Sequence, residues 1–124
     1  MMLYNKPINP AKYRNRITFE RFEEGRTPEG NNYKDWVEAT DLGSSWAEIR
    51  SIRGNEFIMA GANKVKVTAR ITMRYRPDIV AEERQLRVKF DDPSTNKTRT
   101  FDIEFINNIE ERNIEIELLV NEVR

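Results

Sequence analysis

Apolar and polar residues alternate with a two-residue period along most of this chain, and the clearest case is residues 65–76. There Val65, Val67, Ala69, Ile71, Met73 and Tyr75 fall on one side, while Lys66, Thr68, Arg70, Thr72, Arg74 and Arg76 fall on the other, as a half-buried strand requires. Pro77 ends the run, because proline cannot donate to a strand ladder. Tyr33 to Ala39, with Trp36 and Val37, is expected to be the partner strand of a long-looped hairpin, and shorter alternations at 17–22, 46–49, 86–90 and 101–105 predict further strands. The last one sets Ile114, Ile116, Leu118 and Val120 against Glu115, Glu117, Leu119 and Asn121. Turn-forming residues separate them: Gly25, Pro28, Gly30, Asn31 and Asn32, then Gly43 and Ser44, then Asp91 to Ser94, then Asn107 and Asn108. Asn55 is placed to cap a short helical turn over 56–60, bracketed by Gly54 and Gly61. The pattern predicts a mainly β protein, a small antiparallel β-barrel or sandwich of about six to seven strands with one short helix.

Residues 1–12 contain Pro7 and Pro10 and no periodicity, which predicts an extended N-terminal arm ahead of a single β-barrel domain over 13–124. A chain of 124 residues buries one modest core. The longest apolar run, residues 57–62, is far short of the ~20 residues a membrane helix needs, so no membrane partner is expected.

Composition narrows the chemistry. There are no cysteines and no histidines, which removes thiolate nucleophiles, disulfides, Cys-based zinc sites and the commonest general base. Ser44 and Ser45 therefore have no histidine to activate them, and the glycines form no phosphate-binding fingerprint. The adjacent acids Glu23 and Glu24, Glu82 and Glu83, Asp91 and Asp92, and Glu110 and Glu111 lie at strand ends or turns, where solvated carboxylates are expected. A calcium loop starting at Asp92 has Lys97 where glycine belongs and Ile103 where the bidentate glutamate belongs. No catalytic residue, metal ligand or cofactor is predicted, and an enzyme is not expected.

Charge is balanced overall, at 21 basic and 21 acidic residues, but separated along the chain. Residues 1–16 carry four cations and no acid; residues 101–124 carry seven acids against Arg112 and Arg124. The strand at 65–76 carries Lys66, Arg70, Arg74 and Arg76 with no acid. Three readings compete for it. The cations pair across the sheet with acids such as Asp102 and Glu104 or Glu115 and Glu117. They form a stripe for a phosphate backbone, a role weakened by the lack of interleaved exposed aromatics. Or they meet Glu115 and Glu117 of the next subunit in a ring, a heterologous contact. Arg70 and Arg74 are expected to meet acidic groups and not DNA.

The order of short motifs resembles one known family. Asn9-Pro10-Ala11-Lys12-Tyr13-Arg14-Asn15-Arg16-Ile17-Thr18-Phe19 is similar to the opening of phage head-tail joining and head-closure proteins, where a basic segment leads into the first strand. Trp36 follows a polar glycine-containing loop. Then come Trp46-Ala47-Glu48-Ile49, Gly54-Asn55-Glu56-Phe57, Ile71-Thr72-Met73-Arg74-Tyr75-Arg76-Pro77 and Leu86-Arg87-Val88-Lys89-Phe90. The likeness spans about residues 9–121. Members often have a tight turn after the fourth strand, where this chain has the longer segment 91–98.

The resemblance implies a small β-barrel with one short helix and a structural role in the virion at the head-tail interface. Such subunits form a homo-oligomeric connector ring between the portal protein or its adaptor and a tail-completion or tail-tube protein. Double-stranded DNA passes through the ring without sequence-specific binding, and a subunit can stay monomeric until a ring-shaped partner templates it. Assembly would take place in the host cytoplasm. In stopper-type members the segment after the tryptophan-alanine strand lines or closes the channel. Here that segment holds Ser51, Arg53, Asn55, Glu56, Phe57 and Asn63; alternatively, a helix there caps the barrel with Phe57 and Ile58 in the core. The alternative function from another class is a small barrel binding single-stranded nucleic acid on its open face.

Overall fold

The computed structural model describes residues 10–60 and 63–123, and the side chains of these except 53–60 and 63–65. Among these described residues, seven strands form one sheet: β1 (Asn15–Arg26), β2 (Asn32–Glu38), β3 (Ser44–Ala60), β4 (Asn63–Arg74), β5 (Leu86–Asp92), β6 (Lys97–Asn108) and β7 (Glu115–Val123), with a single short α-helix, α1 (Pro77–Val80), between β4 and β5. The strand order is β2-β1-β3-β4-β7-β6-β5, and a further β1–β5 pairing returns the sheet to its start. Six strands thus form a closed cycle of antiparallel pairs, which removes most of the open edge a flat sheet would expose. The length of β1 makes the closure feasible: residues 15–18 pair with β3, residues 17–21 with β5 and residues 20–26 with β2.

The two-residue period decides what lies inside. Rows of inward side chains cross the cycle: Ile49, Ile71, Leu118 and Ile106 in one, Ala47, Met73 and Ile116 in the next. Ile17, Phe19, Val67, Ile71, Val88, Phe101, Ile116, Leu118 and Val120 are wholly buried. Each large side chain removed from water in this way stabilises the fold by about 1.5–3 kcal/mol before chain entropy is counted.

Four sequence expectations are corrected. Residues 56–60 are not helical; they continue β3, opposite residues 63–67 of β4. Five residues between glycines cannot sustain a helix once a hairpin offers every amide a ladder partner. The one helix lies instead at Pro77–Val80, where proline occupies the first turn, Asp78 follows it, and Ile79 is buried. In β6, the ladder to β7 shifts register between Ile103 and Phe105, so the bulge at Glu104 turns Phe105 outward, 45% exposed. Ile114 lies outside β7 and is exposed, whereas Leu119, expected to face solvent, is buried opposite Phe105. Finally, Pro10–Lys12, placed by sequence in an extended arm, coils into a 3-10 turn; the remainder of that arm, residues 1–9, lies outside the described residues.

Two hairpins run on beyond the cycle. Among the described residues, 22–26 of β1 have ladder partners only in β2, although the Phe22 amide also donates to the Gln85 carbonyl. Among the described residues, 56–60 of β3 and 63–67 of β4 pair only with each other, past an irregularity between Ser51 and Glu56. One arm grows from the C-terminal end of β1 and the other from the C-terminal end of β3. Because β1 and β3 are antiparallel, the arms leave opposite ends of the cycle.

Candidate assembly surfaces

The outward side of β4 is built from the residues singled out by the basic run. Arg70 Nη1 lies 3.9 Å from the Glu117 carboxylate on β7, the strand that the topology puts beside β4. Arg74 sits opposite Glu115 in register, and its guanidinium lies 5.7 Å from the Tyr13 ring. Glu115 takes the Tyr13 hydroxyl hydrogen bond and an ion pair from Lys12, so it gathers two partners at the point where the N-terminal segment enters β1. Arg76 turns elsewhere: it donates to Asp78, to the Ser45 hydroxyl at 2.8 Å and to the Leu42 carbonyl at 2.6 Å, tying α1 to the loop before β3. The same contact holds the Asp78 carboxyl below the usual carboxylate range. Lys66 is exposed, opposite Phe57 in the ladder. Asp102 and Glu104 cannot reach β4, because β7 stands between; Asp102 instead accepts a 2.6 Å bond from Arg87 on β5.

Tyr13 is a buried phenol whose only polar atom donates to a carboxylate, and burial, then that bond, push its pKa above the ordinary tyrosine value. Tyr13→Phe is expected to lower stability by about 1.5–2 kcal/mol, since bonds to charged groups are worth roughly 1.5–3 kcal/mol and Glu115 keeps Lys12. The midpoint of urea unfolding, at unchanged slope, measures this.

Of the residues expected to face a channel, Ser51 is an exposed member of β3 at the irregularity. Arg53 and Asn55 follow it within the irregularity, Glu56 and Phe57 open the β3 arm, and Asn63 opens the returning strand. The structure brings these six to one hairpin and separates them from the Glu115 cluster.

Two features escaped sequence reasoning. Arg21 is 6% exposed and is held by a two-pronged bond to Asp41 (2.9 and 3.0 Å) and by Glu82 (2.7 Å), which joins β1 to the β2–β3 loop and to the segment after α1. Glu82, expected to be solvated, has a side chain only 11% exposed. The signal was present: Arg21 follows Ile17 and Phe19 at the inward positions of β1. The second feature is Trp46, 53% exposed on β3, with the Arg16 guanidinium 5.5 Å from its ring and Arg14 and Lys89 lining the same groove. No cluster of three or more metal-ligating side chains occurs among the described residues.

Comparison with known proteins agrees with this architecture. The family model described as phage head completion protein matches residues 8–123. Head completion protein gp7 of Enterobacteria phage HK97 is 30% identical over 77 residues, covering 62% of this chain and 66% of that protein, just under two thirds of its length. The solution structure of protein SF1141 from Shigella flexneri 2a superposes with a TM-score of 0.58 over 93% of this chain and 96% of that one; at 21% identity it is a likeness of fold.

Proposed function

This chain belongs to the phage head completion protein family, and from that premise we propose that it is a ring-forming subunit of the connector, joining the portal or its adaptor to the tail. A structural role in head completion, in the virion, comes with the family. The observation that carries the finer reading is the pair of two-stranded arms at opposite ends of the strand cycle. A subunit that bridges two different assemblies needs contact surfaces at two ends, and hairpins reaching past the cycle supply backbone edges and side chains at both. The β3–β4 arm and the irregularity at its base carry the residues proposed to face the DNA channel, Ser51, Arg53, Asn55, Glu56, Phe57 and Asn63. The DNA is proposed to pass without sequence-specific contacts.

The Arg70–Glu117 pair between β4 and β7 inside one chain weakens the competing reading, a barrel that binds single-stranded nucleic acid on this face. Phage particles made without this protein are expected to lose packaged DNA and to fail to join tails, as scored by electron microscopy. Particles that keep DNA and tails would overturn the proposal. A salt titration of oligonucleotide binding separates the alternative: a connector subunit shows a shallow slope, a phosphate binder a steep one.

A further inference from the structure

Among the described residues, Trp46 and Phe105 are the two exposed aromatic side chains on the strand cycle itself, at 53% and 45%, and they sit on strands as far apart as the topology allows. Passing from β3 to β6 takes three steps either way, through β4 and β7 or through β1 and β5. Large apolar groups left in water at two opposed places mark contact surfaces better than scattered ones do.

Their settings are complementary in charge. Beside Trp46, Arg16 is its ladder partner and donates to the Ser44 hydroxyl, while Arg14 donates to the Ala11 carbonyl. Neither guanidinium has an ion pair among the described residues. The acid in that groove, Asp91, accepts from the Thr98 hydroxyl, and Lys89 is 3.8 Å from Glu20. Beside Phe105, the bulge holds Glu104 half-buried and without an ion pair among the described residues, and burial, then the nearby Asp102, raise its pKa; Arg84, the cation lining the same groove, is already held by Glu82 and Glu23. Asp102 itself is committed to Arg87. A ring built head to tail needs two different, mutually complementary patches on each subunit, far enough apart that the chain of contacts closes around an axis. A nucleic acid would account for the guanidiniums and would be repelled by Glu104.

We propose that Trp46, Arg14 and Arg16 of one subunit receive Phe105 and Glu104 of the next copy, forming the repeated contact of the ring. The contact rests on the ring reading above. It differs from a β4-to-β7 contact between subunits, since Glu115 and Glu117 already have cations within their own chain.

The test supplies Arg16→Glu, Glu104→Arg and their combination to particles lacking the native protein, counting copies per head by quantitative mass spectrometry. Each single reversal is expected to lower incorporation on the order of tenfold, and the swap to restore most of it. Single reversals that incorporate normally, or a swap that stays defective with unchanged melting, overturn the contact. So does loss confined to Arg16→Glu together with loss of salt-dependent DNA binding, which assigns the Trp46 patch to nucleic acid. If a reversal lowers melting, Trp46→Ser and Phe105→Ser are counted instead, and normal incorporation of both overturns the contact. Wild-type heads holding a single copy would overturn the ring reading itself, whereas many copies with indifferent variants overturn only this interface.

Discussion

Replacing Arg21 with methionine is expected to destabilise the protein by about 3 kcal/mol at neutral pH. Breaking a buried ion pair from one side costs roughly 3–5 kcal/mol, because the remaining charge is left without its partner in a poorly solvated place. The lower end applies here: Glu82 keeps Arg84 at 3.2 Å, and the Asp41 side chain is 64% exposed and can rehydrate. Arg21→Met together with Glu82→Gln should recover part of the loss, since no unpaired charge then stays covered. The cluster also sets an acid sensitivity. The hydrogen bonds from Arg21 hold the Asp41 and Glu82 carboxyls below their ordinary values of 3.8 and 4.5. Each binds a proton less readily in the folded chain than in the unfolded one, so its contribution is complete above the ordinary value and is lost as pH falls through the depressed one. Wild-type protein should therefore lose more stability between pH 7 and pH 3 than Arg21→Met does, as read from urea midpoints at the two pH values. Equal losses would show that the cluster does not contribute.

Phe101→Ala is expected to cost about 3–5 kcal/mol, and Phe105→Ala less than about 1 kcal/mol, although the two phenylalanines occupy equivalent positions in one alternating run. Phe101 is wholly buried opposite Val88, with the Arg99 guanidinium 5.1 Å from its ring, so its removal leaves a cavity that rigid neighbouring strands cannot fill. Phe105 lies past the Glu104 bulge, where truncation mainly exposes Leu119 on the neighbouring strand. Calorimetric melting distinguishes the pair: Phe101→Ala should melt far below wild type and Phe105→Ala close to it. If Phe105 also lines the proposed ring contact, its alanine variant should fold normally yet incorporate poorly into heads. Similar melting losses for both would mean that the bulge does not turn the side chain outward.

Most of the strands were legible in sequence because the two-residue period is a local property: Val67 to Met73 or Leu86 to Phe90 present one buried face whatever strand lies beside them. The missing histidines and cysteines, and the motif series from Asn9 to Phe90, were equally readable, since they need no knowledge of partners. Sequence was weakest where a local preference competes with a ladder. Asn55 to Ala60 carries helix-compatible residues and a capping asparagine, yet the facing strand of β4 pairs the backbone of residues 56–60 and a hairpin results. The bulge at Glu104 left no sequence mark, because one extra residue changes which face every later side chain takes without altering composition.

The candidate contacts divide in the same way. Sequence by itself determined that β4 is basic outside and apolar inside, that β7 is acidic outside, and that a β-rich family fold accommodates both. Tertiary structure alone decided that β4 and β7 are neighbours, that β1 closes the cycle against β5, and that Arg21 finds Asp41 and Glu82, 20 and 61 residues away. Those outcomes depend on which strands pair and in what register, and pairing is set by the combined burial of the six strands of the cycle. No single stretch of the chain contains that information, because a strand presents the same alternating face to any neighbour.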